Sequence, residues 1–417
     1  MQKPQLRRAL GVVNATAIAL GAIIGAGIFV TISEAAGASG TLFLLAIPIA
    51  ALVALLSGLS ATELGIRFPR SGGTYEFGRR VLSYGTGFIA GWIFILAGIT
   101  ASSTYVLAFA GYLQPLIPGV SPQSVAAILA LIATAANYFG VRFSAAINVS
   151  LVALKIILLL FFALAIAPAI RLGNILPIVP EDIAGLPRAV ALLFFAYTGF
   201  ARPVTLAEEI KRPESTLPAS LLFALSISMF LYLATSLSAV GVLGDEELSK
   251  SVTPLSLAAG TAIGEAGTVI VSIGALVSII SVLLTEIFGL SRVIFAMSRN
   301  GDLPGWIGAI HPKYRVPHRA VILIGVVVAS LSVLTDLSSV IAASSLALLL
   351  YYGLTNFTAL RLGRNKIYSP AISLMGLATT LALSLALPAA TIIINAIAIA
   401  IGLFYYYVIR PHLLRRY

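Results

Sequence analysis

Apolar runs of spanning length follow one another along the chain, separated by short polar stretches, at about 10–38, 41–66, 84–113, 123–140, 145–169, 187–211, 216–243, 267–297, 319–335, 338–361, 370–386 and 389–410. A helix rises about 1.5 Å per residue and the hydrocarbon layer is about 30 Å thick, so each run suits one crossing. The pattern predicts an all-α polytopic membrane protein with twelve transmembrane helices. An even number of crossings puts both ends of the chain on one side. The first run is too long for a signal-peptide core and lacks a cleavage pattern, so it is expected to be a retained helix. The segment from Gly244 to Gly264, with Asp245, Glu246, Glu247, Lys250 and Pro254, predicts a short helix over the outer face.

Two runs carry interruptions where a helix is most needed. In the first, Gly21-Ala-Ile-Ile-Gly-Ala-Gly-Ile-Phe29 places three glycines in the middle of the run, and each weakens a helix. A break there frees backbone N–H and C=O groups in hydrocarbon, which only a cavity, ion or solute can satisfy. Gly25-x-Gly27 is no dinucleotide fingerprint, because no strand precedes it. Gly21-x-x-x-Gly25 taken alone fits close helix packing as well as a binding break. In the sixth run, Tyr197-Thr-Gly-Phe-Ala-Arg-Pro203 repeats the anomaly. Breaks five spans apart are what two inverted five-helix repeats require. The chain accordingly divides into a core at 1–361, with repeats at about 10–169 and 187–361, and two added helices with a tail at 362–417.

Composition removes the competing classes. The chain is 59% hydrophobic and 10% charged, with mean hydropathy +1.04. The net charge of +11 does not point to nucleic acid. Of the 26 Lys and Arg, all but Arg171, Arg188 and Lys250 on the outer side and Lys155 and Arg202 in the spans fall in inner loops and tails, among them Arg7, Arg70, Arg79, Arg80 and Arg364. This positive-inside distribution predicts a cell-membrane protein with both termini in the cytoplasm. There is no cysteine, and His311, His318 and His412 lie in inner loops or the tail without metal-binding spacing. No metal, cofactor or enzymatic chemistry is expected, and a channel has no need of paired breaks.

Four local patterns give the chain its likeness to a known family. They are Gly21 to Phe29; Glu63-Leu-Gly-Ile-Arg-Phe-Pro69 with Ser71-Gly-Gly-Thr-Tyr75; Phe194 to Pro218, including Leu206-Ala-Glu-Glu-Ile-Lys-Arg-Pro213; and Ser291-Arg292 to Pro304. In this order and at these separations the sequence resembles the amino acid, polyamine and organocation transporter superfamily, along the whole chain except the last two spans. The resemblance implies a LeuT-like five-plus-five core with broken helices one and six, two added helices, and alternating access around a central amino-acid site.

The broken ends suit such a substrate. The start of the second half of helix one presents free N–H groups and partial positive charge to a carboxylate, at Gly25, Ala26 and Gly27 with Ile23 nearby. Carbonyls around Phe195, Ala196, Thr198 and Gly199, at the end of the first half of helix six, are acceptors for an α-ammonium. The resemblance also implies a side-chain pocket lined by helices three, six, eight and ten, with candidates Phe94, Ser102, Tyr197, Phe200 and Ser344. Core packing is the alternative for the three aromatics. No acidic residue falls among these positions, which favours a neutral amino acid over a dibasic or polyamine substrate. Some exchangers of the superfamily carry a carboxylate just after the helix-six break, where this chain has Ala201 and then Arg202.

Lys155 speaks to the driving ion. It lies ten residues into the fifth span, about 15 Å from its inner end, too deep to snorkel freely. An ammonium there is unfavourable unless paired, which makes the amine a candidate to gain and release a proton. Proton-coupled members of the superfamily place a helix-five lysine where sodium-coupled relatives bind sodium, and Lys155 fits that place; a static ion pair is the alternative. Ser281 or Ser278 of helix eight and helix-one carbonyls such as Ala22 are its expected partners, unless the serines bond back to their own helix. Glu286 is also deep and is expected to form a structural or gating pair with Arg202 or Lys155, or else to be a second proton site. Glu208 and Glu209, near Lys211 and Arg212, are a solvated helix end or a gate. The expected function is proton-coupled amino-acid symport. Proton-independent exchange is the alternative, and an amino-acid sensor on a transporter scaffold a third reading.

Overall fold

The structure, a computed structural model, describes residues 8–69, 72–140, 145–176, 180–363 and 366–411. Arg7, Arg70, Ser71, Arg364 and His412 lie outside the described residues. Within them the chain is helical, with one isolated parallel bridge between Leu10 and Ile210. The first run is split into α1 (Val12–Ile23) and α2 (Ala26–Ser39), followed by α3 (Phe43–Arg67), α4 (Gly73–Val81), α5 (Tyr84–Leu113), α6 (Pro122–Tyr138) and α7 (Ala145–Ile166). The sixth run is split into α8 (Pro180–Tyr197) and the four-residue α9 (Arg202–Thr205). Then come α10 (Pro213–Leu243), α11 (Asp245–Lys250), α12 (Pro254–Ile263), α13 (Glu265–Arg299), α14 (His318–Leu334), α15 (Leu337–Leu360), α16 (Pro370–Leu385) and α17 (Ala389–Phe404).

Seven helical stretches among the described residues are long and apolar enough to cross a membrane, at Ala26–Arg67, Tyr84–Leu113, Ile147–Ala169, Pro213–Leu243, Glu265–Arg299, Leu337–Leu360 and Ala389–Ile409. Shorter apolar helices, including Val12–Ile23, Ile183–Tyr197, His318–Leu334 and Pro370–Leu385, pack among them. The protein is a multi-pass membrane protein of the all-α class. The Gly244–Gly264 segment holds two helices where the sequence predicts one. The chain leaves helical geometry at Ser251 and restarts at Pro254, whose fixed φ suits the first turn of a helix.

Helix ends are set by local chemistry. Ser83 caps α5 through the Thr86 N–H at 3.1 Å, and Asp336 caps α15 through the Ser339 N–H at 2.9 Å. Between helices, hydrophobicity gives little drive in a lipid solvent, so close fit and buried hydrogen bonds dominate. Asn356 on α15 donates to Ser57 on α3 at 3.1 Å, Ser60 on α3 meets Ser373 on α16 at 3.1 Å, and Thr74 on α4 meets Thr355 on α15 at 2.7 Å. These bonds tie α16 and α4 to the centre of the bundle. Added helix α17 docks by shape: a Cβ at Gly402 would sit 2.3 Å from the Trp92 indole nitrogen, which itself donates to the Ala398 carbonyl at 2.9 Å.

One end of the bundle gathers the basic loops, and a fully buried carboxylate organises it. Asp302, in the loop after α13, accepts from the Tyr75 hydroxyl at 2.7 Å and from the Arg79 guanidinium, while Arg410 lies 3.0 Å from its other oxygen. Burial raises the Tyr75 phenol above its ordinary range, and the Asn300 amide donating to its oxygen only partly offsets this. Arg410 also donates to the Gly301 carbonyl at 2.7 Å, so α4, the α13–α14 loop and the end of the last helix meet at one side chain. Asp302→Ala leaves two cations facing a buried space. It is expected to destabilise the protein by about 3–5 kcal/mol, read as a large fall in Tm in detergent. Glu246→Gln, in the exposed pair with Lys250, is expected to leave Tm unchanged.

Candidate functional site

The two breaks face each other at mid-bundle. Helix α1 ends at Ile23, the chain passes through Ile24 and Gly25 in non-helical geometry, and α2 begins at Ala26 with no side-chain cap. The N–H groups at the start of α2 are therefore left for another acceptor, except that of Gly25, expected to be free, which donates to the Ile23 carbonyl at 2.8 Å. Across from them α8 ends at Tyr197, and Gly199 turns the chain with φ +120°, a conformation that favours glycine. The breaks interlock through their glycines. A Cβ on Gly27 would lie 2.6 Å from the Ala196 Cα, one on Gly199 would lie 2.7 Å from the Ala22 carbonyl carbon, and one on Gly25 would lie 2.8 Å from Val282 on α13. These glycines serve close approaches: the other broken helix at Gly27 and Gly199, and α13 at Gly25.

The carbonyls freed by the breaks have partners, one of which the sequence analysis missed. Tyr232, halfway along the apolar α10, points its hydroxyl at the Ile23 carbonyl at 2.9 Å and at the Ala196 carbonyl at 3.0 Å. A single hydroxyl thus spans the last turn of α1 and the last turn of α8, and its one proton serves one of them at a time. The Phe195 carbonyl accepts from the Thr198 N–H at 3.1 Å and hydroxyl at 2.6 Å. Phe195 and Ala196, expected as open acceptors, are therefore both engaged. The sequence signal for Tyr232 was slight: a lone polar tip in a long apolar run.

The structure brings the other pocket candidates to the same region in different ways. The Ser102 and Tyr197 hydroxyls are buried and make no hydrogen bond within the protein. The Tyr197 ring packs on Tyr232, with centroids 5.2 Å apart. Ser344 donates to the Val340 carbonyl of its own helix at 2.7 Å and lies 3.5 Å from Thr104. Phe200 stacks on Tyr352 at 4.7 Å and against Phe194, and Phe94 packs on Tyr351 at 5.2 Å; both are part of an aromatic packing layer. Tyr105, not anticipated, lays its ring 6.1 Å from Phe195.

Lys155 on α7 is almost fully buried, and its ammonium donates to the Gly21 carbonyl at 3.2 Å, one residue before the expected Ala22. Ser281 bonds to the Ser278 carbonyl at 2.8 Å, back into its own helix. The Ser278 hydroxyl is buried and makes no hydrogen bond within the protein. Glu286 on α13 pairs with Arg202 on α9, and not with Lys155. No group of three or more metal-ligating side chains occurs among the described residues.

Two apolar helices broken at mid-length and packed break against break, beside a buried lysine on α7, suit a membrane transporter. The family model described as amino acid permease matches residues 10–411, and the chain belongs to that family, within the amino acid, polyamine and organocation superfamily. An uncharacterised transporter of Mycobacterium tuberculosis is 36% identical over 404 residues, covering 95% of this chain and 90% of the relative. The branched-chain amino acid permease BcaP of Bacillus subtilis is 30% identical, covering 80% and 76%. A methylthioribose transporter of the same organism is 28% identical, covering 78% and 75%. Family and relatives are transporters and not enzymes, and the family's activity is amino-acid transport.

Two outcomes test this geometry. Gly27→Ala and Gly199→Ala each force backbone apart at the crossing of the breaks and are expected to destabilise by about 1–3 kcal/mol, whereas Gly305→Ala, with nothing within 4 Å of its Cβ, leaves Tm in place. Tyr232→Phe keeps the ring and removes the bridge between the two carbonyls. It is expected to lower stability by about 1–3 kcal/mol through the Ala196 carbonyl, since the Ile23 carbonyl keeps the Gly25 N–H, read by thermal unfolding beside Tyr314→Phe as a control outside the site.

Proposed function

We propose that the protein is a proton-coupled symporter of a neutral amino acid. In this reading its twelve helices form a five-plus-five inverted-repeat core with two added helices, both termini face the cytoplasm, and the protein resides in the cell membrane. The observation that carries the proposal is the meeting of the two breaks. Free N–H groups at the start of α2 suit a carboxylate, while the end of α8 offers the Ala196 carbonyl, shared with Tyr232, to an ammonium. An arriving ammonium would supply a donor to the Ala196 carbonyl, whose hydroxyl donor is shared with the Ile23 carbonyl. The unpaired hydroxyls of Ser102 and Tyr197 are further groups that a bound solute can satisfy.

Neutrality of the substrate follows from charge. No acidic side chain is among the residues at the breaks, and Glu286 is already matched by Arg202. A cationic side chain would have no free counter-charge there. The similarity to a branched-chain amino acid permease agrees with a neutral substrate.

Lys155 supplies the coupling. Its ammonium holds the last turn of α1 through Gly21, and a neutral amine there would hold it less tightly. Protonation and substrate binding both favour the arrangement in which α1 is seated against α7; loss of the proton on the inner side releases it for substrate exit and return. The same contact, kept as a permanent ammonium–carbonyl bond, is what a proton-independent exchanger would use, which makes exchange the second reading.

The test is uptake of a labelled amino-acid panel into proteoliposomes in sodium-free buffer, with and without an inward proton gradient. Concentrative uptake of neutral amino acids that collapses with a protonophore is expected, and Lys155→Ala is expected to lose the gradient dependence. Counterflow indifferent to the gradient would replace symport by exchange, and binding without flux would point to a sensor.

A further inference from the structure

The stretch Glu63-Leu-Gly-Ile-Arg-Phe-Pro69 takes no part in the binding and coupling roles above. It contributes to a cluster of charges that is only partly paired. Glu63, near the end of α3, is 1% exposed, and one of its oxygens accepts from the Ile367 N–H at 2.9 Å, which ties the segment before α16 to α3. Arg67, one turn on, brings a guanidinium nitrogen to 3.6 Å from that same oxygen, longer than a hydrogen bond. Three polar atoms of the cluster are buried and make no hydrogen bond within the protein: the second Glu63 oxygen, that Arg67 nitrogen and the Lys366 Nζ. Burial pushes the Lys366 amine below its ordinary range; the Glu63 charge opposes this and the Arg67 charge adds to it, so Lys366 is within electrostatic reach of both.

Two cations against one carboxylate leave one positive charge in excess. Buried donors and acceptors without partners are unfavourable, and here both kinds stand side by side. A ligand that satisfies them carries a single negative charge spread over several oxygens, for Arg67 and Lys366, together with a hydroxyl, for the open Glu63 oxygen. A phosphodiester with a glycerol headgroup has both. Arg67 and Lys366 are half-buried as residues, so the cluster reaches the surface, and rotation of two long side chains presents their nitrogens there.

The surroundings favour a lipid over a free anion. The α3 span ends at Arg67 and α16 begins at Pro370, so the cluster lies where apolar helices give way to the loops of the basic end. From there α16 exposes Leu374, Leu381 and Leu385, whose spacings of seven and four residues make one stripe along the helix. At 1.5 Å per residue that stripe is about 17 Å long, close to the ~15 Å depth of one leaflet. We propose that Arg67, Lys366 and Glu63 bind the headgroup of a singly charged phospholipid with a hydroxylated headgroup, of the phosphatidylglycerol type. Its phosphate takes the two cations, its hydroxyl donates to Glu63, and an acyl chain lies along the α16 stripe. The bound lipid bridges α3 to the segment entering α16.

The test is lipid binding by the delipidated full-length protein, read by native mass spectrometry, which depends on no transport activity. Phosphatidylglycerol is expected to bind about tenfold more tightly than phosphatidylmethanol, which has the same charge and no headgroup hydroxyl, within the range of one hydrogen bond to a charged group. Lys366→Gln and, separately, Arg67→Gln are expected to weaken phosphatidylglycerol binding by about tenfold and to leave phosphatidylcholine binding unchanged. Lys366→Arg is expected to retain it, which separates loss of charge from loss of fold. Lys313→Gln removes an exposed cation from the α13–α14 loop and is expected to have no effect; an equal fall there would reveal attraction to the whole basic face and overturn the site. Displacement of the lipid by glycerol phosphate at equal concentration would assign the cluster to a soluble phosphate ester and overturn the lipid. Equal binding of phosphatidylglycerol and phosphatidylmethanol, or unchanged binding in both Gln variants, likewise overturns the proposal.

Discussion

Every feature of this protein that bears on function traces to one constraint: a helix broken inside hydrocarbon must find partners for the backbone groups it frees. Two helices are broken here, and they solve the problem jointly. Each places its glycine gap against the other's backbone, Gly27 on Ala196 and Gly199 on Ala22. A third helix contributes the Tyr232 hydroxyl to a carbonyl from each, and a fourth contributes Lys155 to Gly21. The donors of α2 are left without a side-chain cap. The constraint thus yields an amphoteric site: donors at one lip, acceptors at the other, and no acidic side chain at the breaks. That is the chemistry of a zwitterion's two ends.

The breaks were legible because their signal is local. Glycine density inside an apolar run, and glycine with proline in another, mark a weak helix whatever packs around it. Depth of charge was legible for the same reason: Lys155 and Glu286 can be placed by counting turns from a helix end. Contacts between segments distant in sequence were not. The sequence left Glu286 between Arg202 and Lys155, and the choice falls to Arg202 because α9, freed by the break, can bring its first residue against α13. Ser281 turned inward on its own helix, a local alternative that a hydroxyl always has. Tyr232 and Asp302 escaped notice because nothing in their neighbourhoods distinguishes them from a core tyrosine and a loop aspartate.

The two ends of the bundle differ in how they are held, and the difference bears on which parts can move. At the basic end, Asp302 accepts from Tyr75 and Arg79 of α4 and is ion-paired with Arg410, which lies beyond α17, so it joins these segments to the α13–α14 loop. Such a multiply bonded buried carboxylate is difficult to open, since each separation strands a charge. The α9 segment pairs with α13 through Arg202 and Glu286 and with the segment before α1 through backbone bonds, and its Val204 is buried with Ala15, Leu64, Phe77 and Leu217.

Both attachments bear on the site between the breaks. A segment moves when few buried interactions oppose it and a rigid frame gives it something to move against. The Asp302 cluster supplies the frame. The α9 segment follows the Gly199 turn, which lies directly against the α1 break. A displacement of α9 therefore cannot leave the site unchanged: it alters the crossing of Gly199 on Ala22, one residue from the carbonyl that Lys155 holds. Through that contact Lys155 and α9 act on the same few atoms of α1, the physical route that the proposed proton coupling would use.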